Sequence, residues 1–346
     1  MAKKKSTEKP MKAYAAAGVN IDLSNRYKAN LGAKVKSTMR PEVLGRIGGF
    51  GGLFDARFRG FKEPVLVSSI DGVGTKLKVA AMMDRHDTIG QDLVNHCVND
   101  IAVLGAKPIF FLDYIGMGKF EPEVFNQIIS GLVKGCREAG AALIGGETAQ
   151  MPGVYQGGDY DLVGTIVGVV ERRKIIDGST IRPGDVVVGF PSSGLHTNGY
   201  SLARQILFVQ QRMQLDDRIP GTKLLLGDEL LKVHVNYQPL MEKLAAKVRI
   251  KGMAHITGGG LIDNLPRVLP KGTAVEIELG SWPIPPLFQL LTQRTSVDAE
   301  ECYQVFNMGI GMTAVVSPAD AATILKQTRA HIIGRVVKGG GDVRLV

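Results

Sequence analysis

Apolar and polar positions along the chain fall into segments of two kinds. Val65–Ile70 (VLVSSI), Pro108–Ile115 (PIFFLDYI), Ala141–Ile144 and Leu162–Val170 are short apolar runs rich in β-branched and aromatic residues, which predicts buried strands. Thr88–Gly105 and Glu121–Gly140 repeat their apolar residues at helical spacing, and the second ends at a glycine suited to stopping a helix. Across Glu171–Asp185 (ERRKIIDGSTIRPGD) apolar density drops and charge, Gly and Pro take over, which predicts a domain boundary. Beyond it the pattern predicts a strand at Val186–Phe190, a Gly/Ser loop, and a helix from about Tyr200. Helices around 223–233 and 236–249, a loop at His255–Gly260 and a short helix at Leu261–Leu269 follow. Strands near Ala274–Glu278, Gly311–Val316 and Ile332–Val337 close the second half. Both halves use strand, glycine loop and helix, so the expected class is α/β with sheets that can be mixed. The expected division is a disordered tail at 1–12, a first domain at 13–172 and a second at 173–346.

Length and composition narrow the class. At roughly 150 residues per domain, 346 residues fit two domains. Hydrophobic residues at 45% and charged residues at 22% exclude a disordered or fibrous chain. Glycine is in excess: 43 residues, where an average of about 7% gives roughly 24. Many of these glycines stand beside Asp, Thr, Ser or His, where bare backbone can approach a ligand closely. No apolar run reaches the length of a membrane span, and MAKKKSTEKPMK lacks the apolar core of a secretory signal. Cys97, Cys136 and Cys302 form no CxxC pair, which argues against a disulfide framework or structural zinc and fits a reducing cytoplasm.

The net charge of +9 is unevenly placed. Residues 1–62 hold 14 Lys/Arg against 4 Asp/Glu, and the remaining 284 hold 28 against 29. A nucleic-acid binder can look like this, but no helix-turn-helix, zinc-finger or RNA-recognition pattern accompanies the basic segment. A solvated tail at residues 1–12 followed by a segment near an anionic small ligand is the preferred reading, since basic runs alone specify little.

Six clusters could carry chemistry. In Ser69–Lys76 (SIDGVGTK), Asp71 ends a buried strand where it could hold Mg2+, Gly72 and Gly74 bare backbone N–H groups, and Lys76 adds a charge. A tight turn with a solvated lysine is the plain alternative, and the order is not that of a Walker A loop. On the helix from Thr88, Asp92, His96 and Asp100 share one face at i, i+4 and i+8, with Asn99 beside them. So many polar groups on a mostly buried helix are costly unless paired or metal-bound. Gly145–Pro152 (GGETAQMP) follows a short strand and offers Glu147 as a third carboxylate, or simply an exposed one in a glycine turn. Ser192–Arg204 (SSGLHTNGYSLAR) and His255–Leu261 (HITGGGL) pass from strand through Gly-rich loop to helix start, places that present free N–H groups to anions. There His196 and His255 could exchange protons or serve as structural hydrogen-bonding groups. Gly48–Leu53 (GGFGGL) lacks the spacing of a dinucleotide fingerprint, and no G-x-S-x-G elbow occurs.

In this order the motifs resemble the phosphoribosylformylglycinamidine cyclo-ligase family, the aminoimidazole ribonucleotide synthetases of de novo purine synthesis. The matching stretches include YAAAGVNID, MRPEVLGRIGGFGGLF, VSSIDGVGTKLKVA, HDTIGQDLVNHCVNDIAVLGAKPIFFLDYI, IGGETAQMPGVY, PSSGLHTNGYSLAR, AHITGGGLIDNLPRVLP and VFNMGIGM, from about Tyr14 onward. The superfamily also holds thiamin-monophosphate kinase and selenophosphate synthetase, so a small-molecule kinase is the neighbouring alternative.

The resemblance implies two α/β domains and a homodimer in which the N-terminal domains join their sheets. It also implies ATP and Mg2+ as cofactors, formylglycinamidine ribonucleotide as substrate, no nucleic-acid or membrane partner, and a cytoplasmic enzyme. Carried over motif by motif, Asp71, Asp100 and Glu147 would be metal ligands. Lys34, Lys36, Asp71, Gly72, Gly74, Thr75, Lys76 and Asn99 would contact ATP. Ser192, Ser193, Gly194, Thr197, Asn198, Thr257, Gly258, Gly259 and Gly260 would contact substrate, and His196 or His255 would be the acid or base of ring closure. Val233–Tyr237 (VHVNY) departs from the family pattern, lacking the Pro and Arg usual there, as do Asn20 and Leu23–Ser24.

Overall fold

The structure, a computed structural model, describes residue 19 and residues 21–45, 49–294 and 297–346. The expected tail at 1–12, Asn20 and Gly48 lie outside the described residues. The first half comprises α1 (Ile21–Lys36), β1 (Pro64–Gly72), α2 (Lys76–Met82), α3 (Ile89–Ala102), β2 (Lys107–Met117), α4 (Pro122–Ala139), β3 (Ala142–Gln150) and β4 (Tyr160–Glu171). Its sheet has the order β1-β4-β2-β3, antiparallel except for β2 and β3, which α4 connects as a parallel pair.

The α4 helix forms as its pattern predicts. Phe125, Ile128, Ile129, Leu132, Val133 and Cys136 make one buried stripe, Pro122 begins the helix, and Gly140 closes it in the left-handed region at φ 69°. It crosses α3 at two glycines. A Cβ on Gly90 would run into the backbone of Ile128 and Leu132, and one on Gly131 into that of Asp87 and Gln91. This backbone-to-backbone approach sinks α3 so deeply that nearly all of its residues are buried, polar ones included.

The helices cover one face of the sheet. Because neighbours across strands point the same way and successive residues point opposite ways, register assigns each side chain to a face. Asp71 lies opposite Gly164, which lies opposite Asp113, which lies opposite Gly146; this row points toward the helices. Glu147 lies opposite Tyr114 and Tyr114 opposite Val163; this row points to the other, open face. That open face carries Leu66 and Ile70, 59% and 66% exposed, and the half-buried Phe110, Leu112, Val163 and Val167.

The second half comprises β5 (Val186–Pro191), α5 (Tyr200–Arg204), α6 (Leu226–Leu230), α7 (Gln238–Ala245), β6 (Gly252–His255), α8 (Gly260–Asn264), β7 (Thr273–Ile277), α9 (Pro286–Gln293), α10 (Ala299–Val305), β8 (Ile310–Val316), α11 (Pro318–Leu325), β9 (His331–Lys338) and β10 (Val343–Leu345). Its sheet has the order β10-β7-β9-β5-β8-β6, antiparallel except for β10 beside β7. The helices expected around 223–233 and 236–249 are shorter, at α6 and α7, while α1, α2, α9, α10 and α11 were not expected. One apolar core runs through both halves, from Val79, Leu93 and Phe111 to Leu230, Leu261 and Phe306.

Candidate active site

The polar face of α3 meets the second half. Its members are spaced as expected, and their partners follow from burial. Asp92 and Lys76, both without exposed side-chain area, form an ion pair at 2.7 Å, and Lys76 Nζ also donates to Lys232 O at 2.6 Å. Burial pushes the Lys76 pKa down and the Asp92 pKa up, each opposed by the other's charge. The second Asp92 oxygen accepts from His234 N at 2.8 Å. Asn95 Nδ2 donates to His234 O, Asn99 Nδ2 to Val235 O, and Asn99 Oδ1 accepts from Tyr237 N. Three side chains of one helix face thus satisfy the backbone of an extended segment, and none of them is presented to a ligand.

At the end of that face lies a chain of histidines. Asp100 Oδ2 accepts from Ser69 Oγ at 2.9 Å and Asp100 Oδ1 from His255 Nδ1 at 2.8 Å. His255 Nε2 is 2.9 Å from His234 Nε2, His234 Nδ1 is 3.3 Å from Thr197 Oγ1, and Thr197 Oγ1 is 2.7 Å from His96 Nδ1. Burial holds His255 below its ordinary pKa and His234 well below it, so both rings are neutral and each carries one proton. The donor roles then follow in sequence. His255 donates to Asp100 and accepts from His234; His234 accepts from the Thr197 hydroxyl; Thr197 accepts from His96 Nδ1. What remains is His96 Nε2, buried, without a hydrogen-bond partner, 2.9 Å from Asp71 Oδ2 and 4.0 Å from Asp100 Oδ2. Burial alone would lower its pKa, but the contact with Asp71 and the charges of Asp100, Asp71 and Asp92 outweigh burial and raise it. A cation on this nitrogen, whether a proton or another, is what two carboxylates require.

Asp71 and Asp100 themselves sit below the ordinary carboxylate range. Burial opposes this in both; the His96 ring beside Asp71, and the His255 and His96 rings beside Asp100, prevail. His196 stacks on His234 with ring centroids 4.0 Å apart, in a left-handed backbone conformation at φ 63° that a non-glycine residue adopts only under surrounding constraint. Burial holds its pKa well below the usual value.

These shifts fix an expected pH profile. Imidazoles kept neutral by burial take up their protons on unfolding, so below about pH 6.5 the unfolded chain binds more protons and stability falls as pH drops. Each of His196 and His234 contributes about 1.4 kcal/mol per pH unit to that fall. His96 acts oppositely: its raised pKa contributes stability that is complete below about pH 6.5 and lost as pH rises through its folded value. Urea midpoints should therefore peak near about pH 6.5, with the acid limb steeper than the alkaline one; a flat profile between about pH 5 and 8 would contradict the assignment.

The glycine loops converge on this cluster. Gly74 lies beside Thr197 O, Thr75 Oγ1 is 3.0 Å from Ser201 Oγ, and Gly258 approaches Asn198. Gly259 and Gly260 take φ of 97° and 57°, and Asn264 Nδ2 donates to the carbonyls of Gly258 and Gly260, holding the HITGGG turn tight. Ser192 Oγ donates to Asn307 Oδ1, Ser193 Oγ to Val233 O, and Gly194 O accepts from Asn307 Nδ2, so these three shape the loop. Between the halves opens a cavity of about 450 Å³ lined by Ser69, Asp71, Asp100, His255, Thr257, Asn264, Asp177 and Arg267 together with apolar residues such as Val67 and Met253.

Other expected residues stand elsewhere. Glu147 does not meet Asp71 and Asp100 within one chain: it is exposed on the opposite face of the sheet, across two intervening strands, about 14 Å away at ordinary strand spacing. The GGETAQ stretch that carries it is strand β3 rather than a turn. Lys34 Nζ donates to Asn126 Oδ1 and Ser130 Oγ on α4, and Lys36 is exposed at the end of α1. Sequence reasoning missed His234, Asn95, Asn264 and Arg267; the only signal for His234 was the departure at VHVNY.

Most of the chain also matches known proteins. A family model described as AIR synthase related protein, N-terminal domain, matches residues 56–170, and its C-terminal counterpart matches residues 182–346. The chain is 54% identical over 335 residues to phosphoribosylformylglycinamidine cyclo-ligase of Geobacillus kaustophilus, covering 95% of this chain and 97% of that one. It is 50% identical over 333 residues to the cyclo-ligase of Trichlorobacter lovleyi, covering 95% of each. Among solved structures, the hydrogenase maturation protein HypE in complex with ATP is similar in fold, with a TM-score of 0.66 and 18% identity over 95% of this chain and 93% of that one. Thiamine-monophosphate kinase from Stenotrophomonas maltophilia gives a TM-score of 0.63 and 18% identity over 94% and 96%. The fold is thus shared with kinases and maturation proteins, and the identity with enzymes of one activity; the chain belongs to the phosphoribosylformylglycinamidine cyclo-ligase family.

Proposed function

We propose that the chain closes the imidazole ring of formylglycinamidine ribonucleotide in the cavity between its halves, using ATP and releasing ADP and phosphate. The observation that carries this reading is the convergence of Asp71, Asp100, His255 and Thr257, from both halves, on that one cavity. ATP as the phosphoryl donor is supported by the similar fold of HypE, solved with ATP. The formyl amide oxygen takes the γ-phosphoryl group, which turns a poor leaving oxygen into a good one; the amidine nitrogen attacks that carbon, and phosphate departs. Such transfer depends on positioning and charge neutralisation rather than on covalent chemistry by the protein.

Asp71 and Asp100 offer oxygen donors at the cavity and fit a Mg2+ that keeps several waters. When bound, that ion neutralises charge on the phosphates. Ser69 and His255 hold the Asp100 carboxylate in place. His255 serves as the proton-transfer residue in preference to His196, because His255 lines the cavity while His196 packs behind His234. Arg267, on the cavity wall, and the Thr257–Gly260 turn receive the ribose phosphate. A homodimer that covers Leu66, Ile70 and the rest of the open sheet face would account for those exposed apolar residues, and Glu147 stands on that same face. Three buried, unpaired cysteines support a reducing cytoplasmic setting. Among the described residues, no helix is long and apolar enough to cross a membrane.

The test is a coupled assay with ATP, Mg2+ and formylglycinamidine ribonucleotide that follows ADP and aminoimidazole ribonucleotide together. Equal yields are expected. ADP formed with a stable phosphorylated product instead would favour the kinase reading that the shared fold allows.

A further inference from the structure

We propose that the chain carries a second ligand site, for a small aromatic cation, in a cavity of about 670 Å³ that shares no lining residue with the one proposed for ring closure. Its size falls within the usual range for a small-molecule site, about 300–1,000 Å³. The end of α2 supplies Met82 and Met83 from the first half, and the chain between α5 and α6 supplies most of the rest from the second. Met83 reaches the seam because Gly227 on α6 has no side chain: a Cβ there would lie 2.8 Å from the Met83 thioether. The walls are preformed. Gly227 N donates to Leu215 O, Leu226 N to Asp217 O and Ile219 N to Leu224 O, which closes the loop 215–225 onto α6. The Arg85–Asp228 ion pair, at 2.8 Å, ties the two sides together. A pocket already ordered in the free protein spares its ligand the cost of ordering it.

The lining selects the ligand. Apolar groups remain uncovered here, Met82 at 51% and Leu225 at 38% exposure, and a ligand's apolar body would cover them. Met82, Met83 and Met213 offer three polarizable thioethers beside Phe208, a set that favours an aromatic ring over an aliphatic chain. The only charged groups in the lining are carboxylates, Asp216 and Asp228. Asp228 already has Arg85, whereas Asp216 has no hydrogen-bond or ion-pair partner among the described residues, so a cation on the ligand supplies one. The same two charges disfavour a nucleotide or a ribose phosphate, which separates this site from one for ATP or substrate. Because both halves contribute walls, the bound cation braces the seam between them.

The experiment uses the full chain with isotope-labelled methionine methyl groups, without nucleotide or substrate, so its failure leaves the cyclo-ligase reading untouched. Tryptamine is the probe, and indoleacetate, the same ring system bearing a carboxylate, is its control. Of the signals from the chain's 12 methionines, those of Met82, Met83 and Met213 should shift with tryptamine. They should follow one saturating curve with a midpoint of about 1 mM. Each signal is assigned by its loss in the corresponding Met→Leu variant. Indoleacetate should bind at least about 10-fold more weakly. Asp216→Asn should weaken tryptamine binding about 2- to 5-fold, and Met82→Gln about 2- to 10-fold. Both positions are exposed, so both variants should keep the fold. Absence of a saturable shift in these three signals overturns the site, as does affinity unchanged in both variants. Equal binding of the two indoles overturns its preference for a cation.

Discussion

Asp100→Asn is expected to lower kcat by about 10²- to 10³-fold, the range for removing a charge-stabilising group from a preorganised site. The substitution isolates charge from shape. An asparagine at this position can still accept from His255 Nδ1 and can donate to Ser69 Oγ, so both existing contacts keep a partner. What disappears is the negative charge that faces His96 and the cavity. The melting temperature should change little, whereas ADP and ring product should fall together. Glu147→Gln is the informative comparison. It lies on the far face of the sheet, so a similar loss there would mean that a second protomer supplies that carboxylate. Unchanged turnover in Asp100→Asn would remove Asp100 from the reaction and leave it a structural anchor for His255.

Lys76→Met should act on stability first. Its ammonium group is wholly buried, paired with Asp92, bonded to Lys232 O and 5.9 Å above the Tyr200 ring. Removing it strands a buried carboxylate, at a cost of about 3–5 kcal/mol, whereas replacing both partners with apolar residues of similar volume is often neutral. Lys76→Met/Asp92→Leu should therefore recover most of the loss in a urea-unfolding measurement. A lysine that instead grips the phosphates of ATP would raise the KM for ATP and leave the unfolding midpoint in place. The two outcomes separate cleanly, and the geometry favours the first.

How much of this was legible without coordinates depended on whether a feature is local. The shared face of Asp92, His96 and Asp100 follows from helical spacing alone, and the helix is where its period predicts. The strand-to-loop passages at Asp71, Ser192 and His255 likewise announce themselves in a dozen residues each. Glu147 did not, because its placement depends on strand order and pleat parity, which emerge only when β3 pairs with β2. The glycines before it read as a turn, yet Gly146 is in the strand because a side chain there would strike Asp113. Lys76 looked like a phosphate ligand since its partner at Asp92 and its acceptor at Lys232 belong to distant parts of the chain. His234 carried no periodic signal at all; it matters because the extended segment around it threads between α3 and His255.

That threaded segment has a mechanical consequence. The side chains of Asp92, Asn95 and Asn99 grip the main chain from His234 to Tyr237, and the Lys76–Asp92 pair is sealed beneath it. Swinging one half away from the other would break all of these bonds at once, so no low-energy hinge runs between them. The halves are expected to melt as one cooperative unit despite their separate sheets. The cleft walls therefore stay rigid through turnover, and the motions that admit substrate and release product must arise in chain segments outside this clamp.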